Sequence, residues 1–106
     1  MKYVVYGFAF AAAMSASLAQ AATLSLTDKL TAYHTASPAE RKAVIPLALV
    51  AVNDEIDRKG KTDAEIGADL LPCMDSVDEQ VSDADRATQP VLDLAAVCLA
   101  QLGYKK

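Results

Sequence analysis

Glycine is scarce in this chain, and its distribution excludes more than its number does. Four glycines occur in 106 residues, and none falls between positions 68 and 102. A phosphate-cradling loop needs several glycines close together, so a nucleotide loop of that kind is excluded. The calcium-loop pattern D-x-D-x-D-G is missing for the same reason. Histidine occurs once, as His34, and cysteine twice, as Cys73 and Cys98, with no C-x-x-C pair. That supply falls short of four close zinc ligands and of the paired thiols of redox exchange. Sustained period-two alternation is absent, and β-branched residues are sparse outside one segment. Strands therefore have little to build from.

The first 22 residues set the compartment. Lys2 supplies a short positive n-region, and "YVVYGFAFAAAM" (3–14) is an apolar run of signal-peptide length. "SASLAQA" follows with small residues. Ala19-Gln20-Ala21 reads as an A-x-A site cut between Ala21 and Ala22, with a cut after Ala19 as the second choice. The apolar run is well short of the roughly 20 residues that span a bilayer, so a permanent anchor is disfavoured. No cysteine stands at the cleavage site to carry a lipid. No later apolar run reaches spanning length: "AVIPLALVAV" (43–52) is ten residues long and is followed at once by "NDEIDRKGK". Residues 1–21 are thus read as a cleavable secretory leader and 22–106 as one domain. The expected location is the periplasm or outside the cell, with no membrane attachment after cleavage.

Losing Lys2 with the leader leaves nine Lys and Arg against 14 Asp and Glu, a formal charge of −5. That balance argues against nucleic acid or an anionic membrane as partner and suits a basic protein.

The remaining apolar spacing is helical, rich in alanine and leucine. "SLTD" (25–28) opens a short first helix with Leu26, Leu30 and Tyr33 on one face. "SPAE" (37–40) combines an N-cap serine, a proline at the first helical position and a glutamate that reaches back. "TDAE" (62–65) is a second capping box, and "SDAD" (82–85) is a weaker one. The second helix should run from 38 to 59, ending at Arg58, Lys59 and Gly60. It is apolar nearly all round and is expected to be central, touched on several sides, with a kink at Pro46. A proline follows each of the three later starts by eight to ten residues, as Pro46, Pro72 and Pro90. The unequal spacing of those starts makes this ordinary helix grammar rather than a duplication. The third helix carries Ile66, Leu70, Met74, Val77 and Val81. The fourth carries Val91, Leu94 or Ala95, Cys98 and Leu102. The fold class is all-α: three longer helices plus a short N-terminal one.

Two cysteines in a small exported chain are most economically a disulfide. In an antiparallel hairpin, facing residues are symmetric about the loop centre, and the midpoint of 73 and 98 is 85.5. A turn at 82 alone would leave the thiols roughly 10 Å out of register. A connection spanning 82–89 brings them level, with "SDAD" as a single helical turn and the last helix starting near Pro90. A bridge between two copies needs no special spacing and stays open.

Other candidate chemistry is thin. His34 lies in the last turn of the first helix, where a histidine suits the dipole, and no nucleophile motif accompanies it. The acidic residues Asp69, Asp75, Asp78, Glu79, Asp83 and Asp85 invite a calcium reading. Asp75, Asp78 and Glu79, however, fall at the spacing of a solvated face. No catalytic residue, cofactor site or metal site is expected. The expected function is a non-catalytic protein-interaction domain, for example an inhibitor or immunity-type binder. A structural subunit of an envelope assembly is a further alternative, and the sequence does not set the oligomeric state. In size, helicity, leader and single cysteine pair the chain also resembles acid-activated periplasmic chaperones in outline. Those proteins place their first cysteine near the mature N-terminus, whereas residues 22–72 contain none here.

Overall fold

Local capping residues decide where most of the helices begin. The computed structural model describes residues 24–106; the leader and the Ala21–Ala22 cut lie outside them. Five α-helices follow in order: α1 (Leu30–Thr35), α2 (Pro38–Ala51), α3 (Asp63–Gln80), α4 (Asp83–Arg86) and α5 (Val91–Gln101). Both expected capping boxes form, Ser37 with Glu40 at α2 and Thr62 with Glu65 at α3. Ser82 caps α4 through the Asp85 N–H, and α4 is the single turn expected within the connection. Both α2 and α3 continue through their prolines, Pro46 and Pro72.

α1 and α5 start differently. Lys29 and Pro90, at the two N-cap positions, offer no side-chain cap. Instead the incoming segments pair: the Leu30 N–H donates to the Gln89 carbonyl at 2.8 Å and the Val91 N–H to the Asp28 carbonyl at 2.9 Å. Each helix start thereby satisfies an orphan donor of the other. "SLTD" forms the turn before α1 rather than its first residues, with the Ser25 N–H held by the Asp28 carboxylate at 2.9 Å.

α2 ends at Ala51, eight residues before the expected stop. A 3-10 turn, Asn53–Glu55, follows, and Ile56 is extended and buried. Tertiary pairing overrides the helical pattern here. Ile56 bridges Lys105, the Asp57 N–H donates to the Tyr104 carbonyl at 2.6 Å, and the Lys106 N–H donates to the Glu55 carbonyl. Lys59 and Gly60 then turn the chain with φ of 56° and 77°.

α3, rather than α2, is the central helix, packed on both α2 and α5. Its Ile66, Leu70 and Met74 meet Val44, Ala48 and Leu49 of α2 and Val91, Leu94 and Leu99 of α5 in one core. α2 buries one face only and leaves Leu47 and Val50 exposed. α1 rests on α4 and α5. Cys73 and Cys98 are disulfide-bonded with Cα atoms 5.9 Å apart, joining α3 to α5. Among the described residues no helix is long and apolar enough to cross a membrane.

Candidate functional site

Two arrangements of side chains stand out, one polar and closed, one apolar and open. The polar one fastens α1 and α4 to α3. Asp78 is 1% exposed, against its expected place on a solvated face. Its carboxylate accepts from Arg86 Nε at 3.2 Å and lies 2.7 Å from His34 Nδ1. Arg86, itself buried, also donates to the Asp78 carbonyl and to Asp83 at 2.8 Å. α3 has no basic residue in its last turn, so Arg86 supplies from α4 the positive charge that a helix C-terminus favours.

Asp75 is likewise engaged. The Tyr33 hydroxyl donates to it at 2.8 Å and Arg41 Nη1 at 3.0 Å. Arg41 further donates to the Tyr33 carbonyl at 3.0 Å and the His34 carbonyl at 2.7 Å, and stacks 4.8 Å over the Tyr33 ring. One guanidinium thus caps the end of α1 and ties it to α3. Burial, and then the neighbouring Asp75 carboxylate, drive the Tyr33 phenol far above the ordinary tyrosine range.

This junction fastens α1 and α4 to α3. His34 faces a buried carboxylate as a general base would, but no hydroxyl or thiol hydrogen-bonds to it among the described residues. The nearby hydroxyls serve the backbone: Thr35 returns to the Thr31 carbonyl and Ser37 caps α2. The other acidic residues are dispersed. Asp69 accepts from the Tyr104 hydroxyl at 2.7 Å, which holds its carboxyl below the ordinary range. Lys61 Nζ sits 3.5 Å from Asp69, and its ammonium is held above the ordinary range, first by hydrogen bonding with Tyr104. Glu79 and Asp85 are exposed. Among the described residues no cluster of His, Cys, Asp and Glu could hold a metal ion.

The apolar arrangement is a groove of about 490 Å³ between α2 and α3. Ile45 and Pro46 line one side and Leu71 and Pro72 the other, over small residues of α3. Gly67 sets the approach of the two helices: a Cβ there would meet Ile45 Cγ2 at 3.1 Å. Lys42 and Asp63 are the charged residues of the lining. Asp63 is paired with Arg58, whereas Lys42 has no carboxylate within 4.0 Å among the described residues. Outside the groove, Ala43, Leu47 and Val50 form an exposed aliphatic stripe at i, i+4, i+7, with Val50 75% and Leu47 50% exposed.

Sequence reasoning named His34, Asp75 and Asp78 but missed their arginine partners. Helical periodicity marks neither arginine: Arg41 joins α1 to Asp75 of α3, far along the chain, and Arg86 folds back from α4 onto Asp78 at the end of α3. The groove had a faint signal in Ala64, Gly67 and Ala68, small residues where a packed helix face would carry large ones. No family model matches the chain, and no curated protein or solved structure matches it.

Proposed function

We propose that the chain is an exported, non-catalytic protein-interaction domain of the periplasm or extracellular space, docking through the outer face of α2. The observation that carries this reading is the stripe of Ala43, Leu47 and Val50. α2 spends one aliphatic face on its own core and presents a second to solvent. Apolar residues grouped on one exposed helix face, rather than scattered singly, mark interaction surfaces. The acidic balance suits a basic partner, and an inhibitor or immunity-type binder of an exported toxin or hydrolase is its concrete form. Export itself rests on the leader and is supported by the disulfide.

The test is a pair of proteins, wild type and L47E/V50E, each used to capture partners from the exported fraction. Both sites are exposed, so helical circular dichroism should be unchanged. A one-to-one complex that forms with wild type and fails with the double variant supports the reading. A complex undiminished by the two glutamates would remove α2 as the docking face.

The carboxylate fastenings favour one second reading, an acid-stress chaperone. Asp69, Asp75 and Asp78 each hold a distant segment in place. Protonating Asp69, whose carboxyl the Tyr104 hydroxyl holds below the ordinary range, would loosen the C-terminal tail while the staple holds α3 to α5. Suppression of client aggregation at about pH 2 to 3, with loss of rigid packing, would support it. A protein that stays rigid there and protects no client would dismiss it.

A further inference from the structure

The α2–α3 groove differs from the outer stripe in being concave and of molecular size. Its volume of about 490 Å³ falls within the range of roughly 300–1,000 Å³ typical of small-molecule sites. The lining is aliphatic, with Ile45 and Pro46 from α2 and Leu71 and Pro72 from α3. No aromatic ring lines it to stack on a flat ligand. The floor is open because α3 places Ala64 and Ala68 there, while Gly67 lets Ile45 close in beside them. Helix packing would ordinarily fill that space with a larger side chain.

The charges give the groove a direction. α2 and α3 run antiparallel, so Lys42 stands near Leu71 and Pro72 while Asp63 stands at the far end, by Ala64. Asp63 is already neutralised by Arg58. Lys42 is an exposed ammonium with no carboxylate in reach among the described residues. The open slot therefore has one free cation at one end and none of its own negative charge left unpaired.

We infer that this groove binds the free anion of a linear aliphatic carboxylic acid, its chain lying between Pro46 and Pro72 and its carboxylate against Lys42. A linear chain fits a slot between two helices that offers aliphatic walls and no ring. A carboxylate matches the unpaired ammonium. The source is the dissolved monomer rather than a lipid surface, because a slot of about 490 Å³ between two helices admits a single chain and not a bilayer face. This site does not depend on the docking face proposed above, and either can fail without the other.

Titration of the oxidised protein with monomeric dodecanoate, followed by amide NMR, tests it. The expected result is saturable shifts at Ala64, Gly67, Ala68 and Leu71. K42Q should weaken binding about threefold to fivefold, the size of an exposed ion pair. Dodecyltrimethylammonium, with the same chain and opposite charge, should bind more weakly than dodecanoate by at least as much. A68L places a larger side chain in the slot from an exposed helical position, so the fold survives and dodecanoate shifts should vanish. Absence of saturable shifts in wild type would overturn the site. Equal binding of the two amphiphiles, or K42Q without effect, would overturn carboxylate recognition. Tighter binding to anionic vesicles than to dodecanoate would overturn the monomer as the source.

Discussion

Arg41 and Arg86 perform the same service at two helix ends. Each satisfies carbonyls at a helix C-terminus and binds an aspartate of α3. The Asp78–Arg86 pair is the deeper one, and breaking a buried pair typically costs about 3–5 kcal/mol, because the remaining partner is left buried and unpaired. D78N should therefore lower stability by about 3 kcal/mol in urea unfolding. D78L/R86M, which removes both partners, should recover much of that loss. H34Q should cost under about 1 kcal/mol, since the His34 side chain is 46% exposed. Tyr33 gives a pH prediction. Its phenol is raised above the unfolded value of about 10, so the neutral form is favoured in the fold. The stability it contributes is complete below about pH 10 and is lost as pH rises beyond. In Y104F, whose only tyrosine after residue 22 is Tyr33, phenolate absorbance should appear together with the loss of helical circular dichroism. Phenolate that forms while the helices persist would contradict the burial of Tyr33. Little of this junction was legible in the sequence. The spacing of Asp75, Asp78 and Glu79 fits a solvated face because helical periodicity cannot register an arginine arriving from another element.

At the scale of elements, the signals that held were those satisfied within a few residues. The boxes Ser37–Glu40 and Thr62–Glu65 close locally, and α2 and α3 begin where they stand. S37A should cost about 1 kcal/mol, and thermal unfolding reads it directly. Element ends that depend on distant segments were not legible. α2 stops at Ala51 because residues 55–57 pair with the C-terminal tail, the Asp57 N–H donating to the Tyr104 carbonyl and the Lys106 N–H to the Glu55 carbonyl. The tail also carries an acid prediction. Tyr104 holds the Asp69 carboxyl below its ordinary value of about 4. The stability this contributes is present above about pH 4 and is lost as pH falls through the lowered value. Unfolding midpoints measured downward from neutral pH should decline there, and Y104F should flatten that decline. An identical acid slope in Y104F would assign the acid sensitivity to other carboxylates.

For the whole molecule, the staple is legible in the spacing of the two cysteines. Symmetry about 85.5 required a connection over 82–89, and the structure places α4 within it and begins α5 just after it, at Val91, with Cys73 and Cys98 joined. It works because a disulfide fixes a distance, and helices convert distance into residue number at 1.5 Å each. Which helix carries the main packing was not legible: α2 is apolar nearly all round, yet α3, with a single buried stripe, makes the largest contacts, with α2 and with α5. Closing a loop of 25 residues is worth about 3.5 kcal/mol by chain entropy. That is a large share of what a domain this small holds in total. Reduction should bring the urea midpoint down accordingly. Everything proposed for function assumes that the stapled domain leaves the cytoplasm, and the intact mass of the exported protein tests both parts at once. Taken without reductant after alkylation, the mass should begin at Ala22, fall two hydrogens short of the dithiol form and carry no alkyl group. A mass that retains the leader, or one with two alkylated thiols, would contradict the account.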